Sequence, residues 1–154
     1  MAFYITTPIY YTNDVPHIGH AYTTISCDIL SRFNKLKEKE VYFLTGTDEH
    51  GQKVEKAAKN ANLKPKDFVD NLSKNFEKLV SYLGCEVNDF IRTTEDRHIK
   101  AAQSLWNKLI ENDQIYLSNY EGWYSIRDEA FYSESELTKV DGNYITQNGS
   151  PVEW

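Results

Sequence analysis

Within residues 3–45 the side-chain pattern changes period twice, and this restricts the fold more than any other feature of the 154-residue chain. Phe3-Tyr4-Ile5-Thr6 is short and β-favouring, and Thr7-Pro8 stops it. Residues 7–16 are polar and turn-rich, with Asn13-Asp14 and Pro16. From His17 the positions Ile18, Ala21, Tyr22, Ile25, Ile29, Leu30 and Phe33 recur every three or four residues, which predicts a helix closed by the charged stretch Lys35–Glu40. Val41-Tyr42-Phe43-Leu44-Thr45 is then a continuous run of the kind expected for a strand buried on both faces of a parallel sheet. Strand, loop, helix and strand make a βαβ unit with a right-handed crossover. The fold class predicted is α/β, as the first half of a Rossmann-type nucleotide-binding fold with parallel strands.

Further along, residues 52–61 read as a helix, and Pro65 sits where a first helical turn accepts proline. Phe68, Leu72, Phe76, Leu79, Val80 and Leu83 form one apolar stripe that Gly84 ends. Phe90–Thr93 is a third strand, and Ile99, Ala102, Trp106, Leu109 and Ile110 mark a helix from near Thr94 to Asn112. From Ile115 the texture changes to short aromatic strands around Tyr116, Tyr120, Trp123-Tyr124 and Phe131-Tyr132. Asp141-Gly142 and Asn148-Gly149 are the turn signals there. Residues 1–114 are therefore expected to be the first half of the α/β domain, and residues 115–154 the start of a β-rich insertion. No closing element follows Pro151–Trp154, so the domain is expected to be interrupted there.

Composition narrows the function classes. With 40% hydrophobic and 14% aromatic residues the chain is not of the disordered type. No apolar run approaches the ~18 residues of a membrane span, and Met1-Ala2-Phe3-Tyr4-Ile5 has no basic, signal-like start, so a cytoplasmic protein without a membrane partner is expected. Cys27 and Cys85 are isolated and suggest neither a disulfide nor a metal pair. The net charge of -6 is uneven: residues 32–78 hold 11 basic and 8 acidic side chains, whereas residues 79–154 hold 6 and 13. An acidic second half has no general attraction for a phosphate backbone.

The chemistry-bearing pattern is His17-Ile18-Gly19-His20, at a helix start directly after a strand and loop. Histidines at i and i+3 share a face, and a helix start presents free N–H groups and a positive dipole end that favour phosphate. Gly19 lets a ligand approach the backbone, and imidazoles can stabilise charge that develops in phosphoryl or adenylyl transfer. Metal binding, or plain helix-start histidines, are the alternatives. Asp48 follows a buried strand, where a carboxylate is costly without a partner; a helix N-cap is its alternative role. Glu49 and His50 could be a catalytic pair by composition, and a supporting role is the favoured reading.

The stretch from Thr6 through Tyr10-Tyr11 to His17-Ile18-Gly19-His20 resembles the "HIGH" signature of class I aminoacyl-tRNA synthetases. Phe43-Leu44-Thr45-Gly46-Thr47-Asp48-Glu49-His50-Gly51, Glu121-Gly122-Trp123-Tyr124 and Pro151-Val152-Glu153-Trp154 extend the likeness to the methionine-specific members of that class, over essentially the whole chain. The resemblance implies a methionine–tRNA ligase: ATP, with Mg2+, and methionine give methionyl-adenylate, and the aminoacyl group then passes to tRNA(Met). It implies that His17 and His20 hold the ATP phosphates, that polyphosphate can push them toward the cationic form, and that Gly19 faces the adenosine. Asp48 would pair with the substrate ammonium, and Ile9 and Tyr11 would line the methionine pocket; Tyr10 receives no role.

The pattern departs from the family at three places. Many members carry a cysteine-built zinc knuckle, but Tyr124–Glu129 and Asp141–Gly149 contain no cysteine. No structural zinc is therefore expected: the aromatics Trp123, Tyr124, Phe131, Tyr132 and Tyr144 would hold the knuckle, and Asp128 and Glu129 would be solvated turn residues. The lysine-rich ATP loop is missing, and so are the second half of the fold and the anticodon-binding domain, so tRNA would be met largely by segments not present here. Alone, the chain is expected not to turn over. Competing readings are a non-catalytic fragment that binds methionine or ATP, and another class I synthetase or nucleotidyltransferase with a related histidine site.

Overall fold

A computed structural model describes residues Met1–Trp154. The chain divides into two compact units, Met1–Leu105 and Trp106–Trp154. The first contains β1 (Phe3–Thr6), β2 (Tyr10–Tyr11), α1 (Ile18–Leu36), β3 (Val41–Asp48), α2 (Gln52–Asn60), α3 (Pro65–Tyr82) and β4 (Asp89–Arg92). Helix α4 (Asp96–Glu111) runs from it into the second unit.

The sheet is parallel throughout, with β3 at its centre. Phe3–Thr6 pair with Val41–Leu44, and on the same edge Tyr10 and Tyr11 pair with Thr47 and Asp48. Asp89–Arg92 pair with Leu44–Thr47 on the opposite edge. The loop expected at 7–16 thus contains a two-residue strand, and β3 continues past Thr45 to Asp48. Gly46 permits the close approach of β4, since a Cβ there would lie 2.0 Å from the Ile91 carbonyl oxygen.

The expectation that β3 is buried on both faces is corrected. Phe43, Thr45 and Thr47 have no exposed surface, while Tyr42 on the other face is 46% exposed. The connections β1–α1–β3 and β3–α2–α3–β4 both advance across the sheet in one direction. Right-handed crossovers then put α1 and α3 on a single face, and these two helices touch. That face holds the core of Phe43, Val69, Phe76 and Val80, with Val54 and Ala58 of α2 also buried. Burial of each larger side chain stabilises the fold by roughly 1.5–3 kcal/mol.

Helix α1 lies where its periodicity predicts, but it turns a different stripe to the sheet. Ala21, Thr24, Asp28, Ser31 and Asn34 are buried, whereas Ile18, Tyr22, Ile29 and Phe33 are exposed. The buried polar groups are mostly satisfied: Asp28 accepts from Glu86 N (2.8 Å) and Arg32 Nε (2.6 Å), and Thr24 bonds Tyr10. Ser31 Oγ alone in this stripe lacks a partner.

In the second unit, β5 (Trp123–Ser125) and β6 (Ala130–Tyr132) form one antiparallel hairpin, and β7 (Leu137–Val140) and β8 (Asn143–Thr146) another. Asp141-Gly142 turns the second with both φ positive, as its sequence predicts. Tyr116 and Tyr120 lie outside any strand. The last residues bridge the hairpins, Glu153 pairing with Tyr124 and Pro151 with Ile145. Trp123 packs on Tyr144 and Trp154, and Tyr124 on Phe131.

Asp128 is not a solvated turn residue. Its carboxylate accepts hydrogen bonds at 3.2 Å from Ser125 Oγ, Tyr132 Oη and Ser150 Oγ. Ser125 and Ser150 are fully buried, so Asp128 ties the first hairpin to the closing segment from inside. Tyr132 joins through its hydroxyl to Asp128.

Candidate active site

The start of α1 is capped by histidine on both sides of one turn. His17 is the N-cap, in extended conformation (φ -128°, ψ 178°), and its Nδ1 accepts from Gly19 N at 3.1 Å. His20 Nδ1 reaches back and accepts from His17 N at 3.0 Å. The two side chains thus satisfy donors that a helix start leaves open, as Ser and Glu do in an ordinary capping box. The ring centroids are 3.9 Å apart. A Cβ at Gly19 would stand 2.9 Å from His17 Cε1, so the imidazole that makes the cap would have to shift.

Tyr10, which received no role in the sequence, anchors His20. Pairing with Thr47 puts Tyr10 on the helix-covered face of the sheet, where it is buried. Its hydroxyl bonds Thr24 Oγ1 at 2.7 Å and donates to the His20 carbonyl at 3.3 Å. Its ring stands edge-to-face with the His20 imidazole at 4.8 Å and stacks on Phe76, which meets His20 at 5.2 Å. Burial first, and then the nearby His17, pushes the His20 pKa down, against the cationic form expected beside polyphosphate.

Tyr11 and Asp48 are register partners and so share the face that the helices leave open. Both are half-buried. The Asp48 carbonyl is fixed by Thr12, whose N and Oγ1 donate to it at 3.1 and 3.0 Å. The Asp48 carboxylate forms no ion pair or side-chain hydrogen bond within the chain and remains open to a ligand. Asp48 belongs to β3, and the N-cap of α2 is Gly51, so the capping alternative does not hold. Ile9, just before β2, is 42% exposed.

The next carboxylate has a different fate. Glu49 is buried and grips Arg92, with Nε to Oε1 at 2.7 Å and Nη2 to Oε2 at 3.0 Å. Thr47 and Thr94 hydroxyls donate to the same carboxylate, and Thr93 Oγ1 accepts from Glu49 N. Arg92 also reaches Asp70, whose carboxyl is held below the usual range by Lys66 and Arg92. Glu49's hydrogen bonds in turn raise the Arg92 pKa above its ordinary value. His50 Nε2 lies 3.3 Å from the Thr93 carbonyl oxygen. These contacts lock the carboxyl end of β3 against β4 and so fix where Asp48 stands.

The two imidazoles at the start of α1 and the unpaired Asp48 carboxylate thus both lie at carboxyl ends of the parallel strands, linked through β2. That is the edge at which open α/β folds of the Rossmann class carry their ligand sites, and the fold is of that class. The family model described as tRNA synthetases class I (M) matches residues 3–148, and the chain belongs to that family. The methionine–tRNA ligase of Rickettsia typhi is 57% identical over 152 residues, which is 99% of this chain and 29% of that protein. That of Halalkalibacterium halodurans is 49% identical, covering 98% of this chain and 24% of the relative. Among solved structures, methionyl-tRNA synthetase of Mycobacterium tuberculosis in complex with methionyl-adenylate superposes with a TM-score of 0.91 at 44% identity. It covers all of this chain and 31% of the neighbour. The apo form of the same enzyme gives 0.69 at 40% identity. The chain therefore spans under a third of the relatives it matches.

Proposed function

We propose that this chain is the N-terminal part of the catalytic domain of a cytoplasmic methionine–tRNA ligase. Residues 1–114 form the first half of its nucleotide-binding domain, and residues 115–154 open a zinc-free connective insertion. The substrates are methionine and ATP, the latter carrying Mg2+ on its phosphates, and the acceptor is tRNA(Met), met largely through other segments. One observation carries the reading: β2 touches both parts of the candidate site, Tyr10 packing on His20 of the histidine-capped helix start and Tyr11 pairing with Asp48, whose carboxylate is unpaired.

Activation is an in-line attack of the methionine carboxylate on the α-phosphorus, with pyrophosphate leaving. It depends on positioning and charge stabilisation more than on a general base. His17 and His20 hold the phosphates at the positive end of α1, and Gly19 leaves the nucleotide room beside that turn. Asp48 takes the methionine ammonium in a charge-assisted hydrogen bond that orients the carboxylate. Ile9 and Tyr11 line the thioether side, where apolar and aromatic contacts suit sulfur. The M. tuberculosis neighbour's methionyl-adenylate complex supports this pairing of ligand and fold. The absence of cysteine from the second unit, and its Ser125–Asp128–Ser150 hydrogen bonds, support a knuckle without zinc.

Binding of a non-hydrolysable methionyl-adenylate analogue to the 154-residue chain tests the reading. Calorimetry is expected to show binding that Asp48→Ala and His20→Ala each weaken at least tenfold. Equal affinity for the isoleucyl analogue, or indifference to both substitutions, would overturn it.

A further inference from the structure

We propose that Tyr10 and Phe76 are positioning residues that, with the reciprocal histidine cap, hold His20 as a neutral imidazole with its proton on Nε2, while the same cap uses His17 Nδ1 as an acceptor and turns its Nε2 outward as a donor. The consequence for phosphate rests on the functional reading above: both rings offer the nucleotide an Nε2–H donor, and His20 does so as a neutral ring.

A ring nitrogen that accepts a backbone N–H must present its lone pair there and carries no proton. Nδ1 of His17 accepts from Gly19 N, and Nδ1 of His20 accepts from His17 N, so the neutral proton of each ring sits on Nε2. Making either ring cationic would place a proton on Nδ1 and break a bond that closes the helix start. Two cationic rings with centroids 3.9 Å apart would also repel each other.

At His20 the arrangement is supported from two further elements. Tyr10 on β2 holds the residue's carbonyl and its ring, and Phe76 on α3 closes the other side of the imidazole. The titratable groups facing His20 are the His17 imidazole on α1 and the Tyr10 phenol on β2; α3 offers only the uncharged Phe76. Burial and His17 both disfavour the cation, and no carboxylate favours it. Because Tyr11, the next residue of β2, is paired with Asp48, the same two-residue strand aligns the histidine cap with the open carboxylate.

Long-range proton–nitrogen correlation spectra of the 15N-labelled chain distinguish Nδ1–H from Nε2–H directly. In the wild-type chain at pH 8 both histidines are expected as the Nε2–H form. Nuclear Overhauser contacts are expected between the Tyr10 ring and His20, with a His20 titration midpoint below the ~6.5 of an unperturbed histidine. Tyr10→Leu is expected to bring a second His20 tautomer and to return its midpoint toward that value. Tyr10→Phe keeps the ring and should keep the tautomer. An Nδ1–H form at either histidine in the wild-type chain, or missing Tyr10–His20 contacts, would overturn the proposal even if Tyr10→Leu did not fold. Unchanged His20 tautomer and midpoint in a folded Tyr10→Leu chain would do the same. With the tautomers as proposed, Nε2 resonances that ignore added ATP would count against the functional reading alone.

Discussion

The histidine cap packs directly against the bare Cα of Gly19. Gly19→Ala would put a carbon 2.9 Å from His17 Cε1 and oblige that ring to shift, weakening the bond it accepts from the residue 19 amide. Loss of an N-cap typically costs about 1 kcal/mol, so urea denaturation of this variant should show a loss of that order. Arg92 is the more sensitive position. Arg92→Ala leaves the Glu49 carboxylate buried without its cation, a class of change that costs about 3–5 kcal/mol, and it frees the strand end that carries Asp48. Equilibrium unfolding should show this as the largest single-site loss in the first unit. His20 adds a pH dependence of defined sign. Its folded pKa is depressed, so the unfolded chain binds the proton more readily; its contribution is full above about pH 6.5 and is lost as pH falls toward the folded value. His17, Gly19, His20 and Asp48 stood out in the sequence as candidates, by residue type and place after strands and by the family resemblance that suggested their roles. Tyr10 and Arg92 were not: a loop tyrosine and a strand arginine look like many others until register and long-range pairing place them.

At the level of elements, the βαβ unit, the third strand and the helix ends were all readable from period and punctuation. What periodicity could not tell was which stripe of α1 meets the sheet. The helix buries Thr24, Asp28 and Asn34 and leaves Ile29 and Phe33 outside, because hydrogen bonds to Tyr10, Glu86 and Lys39 give those polar groups partners that a sequence pattern does not reveal. The two-residue β2 was hidden for a related reason, since its only regular partner is the far end of β3. In the second unit the turn signals and aromatic packing were legible, but the Asp128 hub was not. Burial raises the Asp128 pKa, and hydrogen bonds from Ser150, Ser125 and Tyr132 more than reverse this, holding it below the usual carboxylate range. A carboxyl with a depressed folded pKa stabilises the fold above about pH 4 and loses that effect as pH falls through the folded value. Asp128→Asn should therefore flatten the acid limb of unfolding followed by tryptophan fluorescence. An unchanged acid limb would remove Asp128 from the list of groups that hold the knuckle.

At the scale of the whole molecule, the net charge of -6 and an acidic second half give the chain no broad attraction for tRNA. No helix is long and apolar enough to cross a membrane. One face of the parallel sheet carries α1 and α3, and the other presents Tyr11 and Asp48. Because the chain spans 29% of the R. typhi relative, the site it holds is proposed to bind without turning over alone. Methionine-dependent ATP–pyrophosphate exchange, measured in the proposed full-length ligase, therefore tests the central claim most directly. Exchange should require methionine, and His20→Ala should slow it by about 10²–10³-fold, the usual effect of removing one donor to developing charge. Asp48→Ala should abolish methionine-stimulated exchange at ordinary methionine concentrations. Exchange driven equally by another amino acid, or undiminished in both variants, would contradict the account.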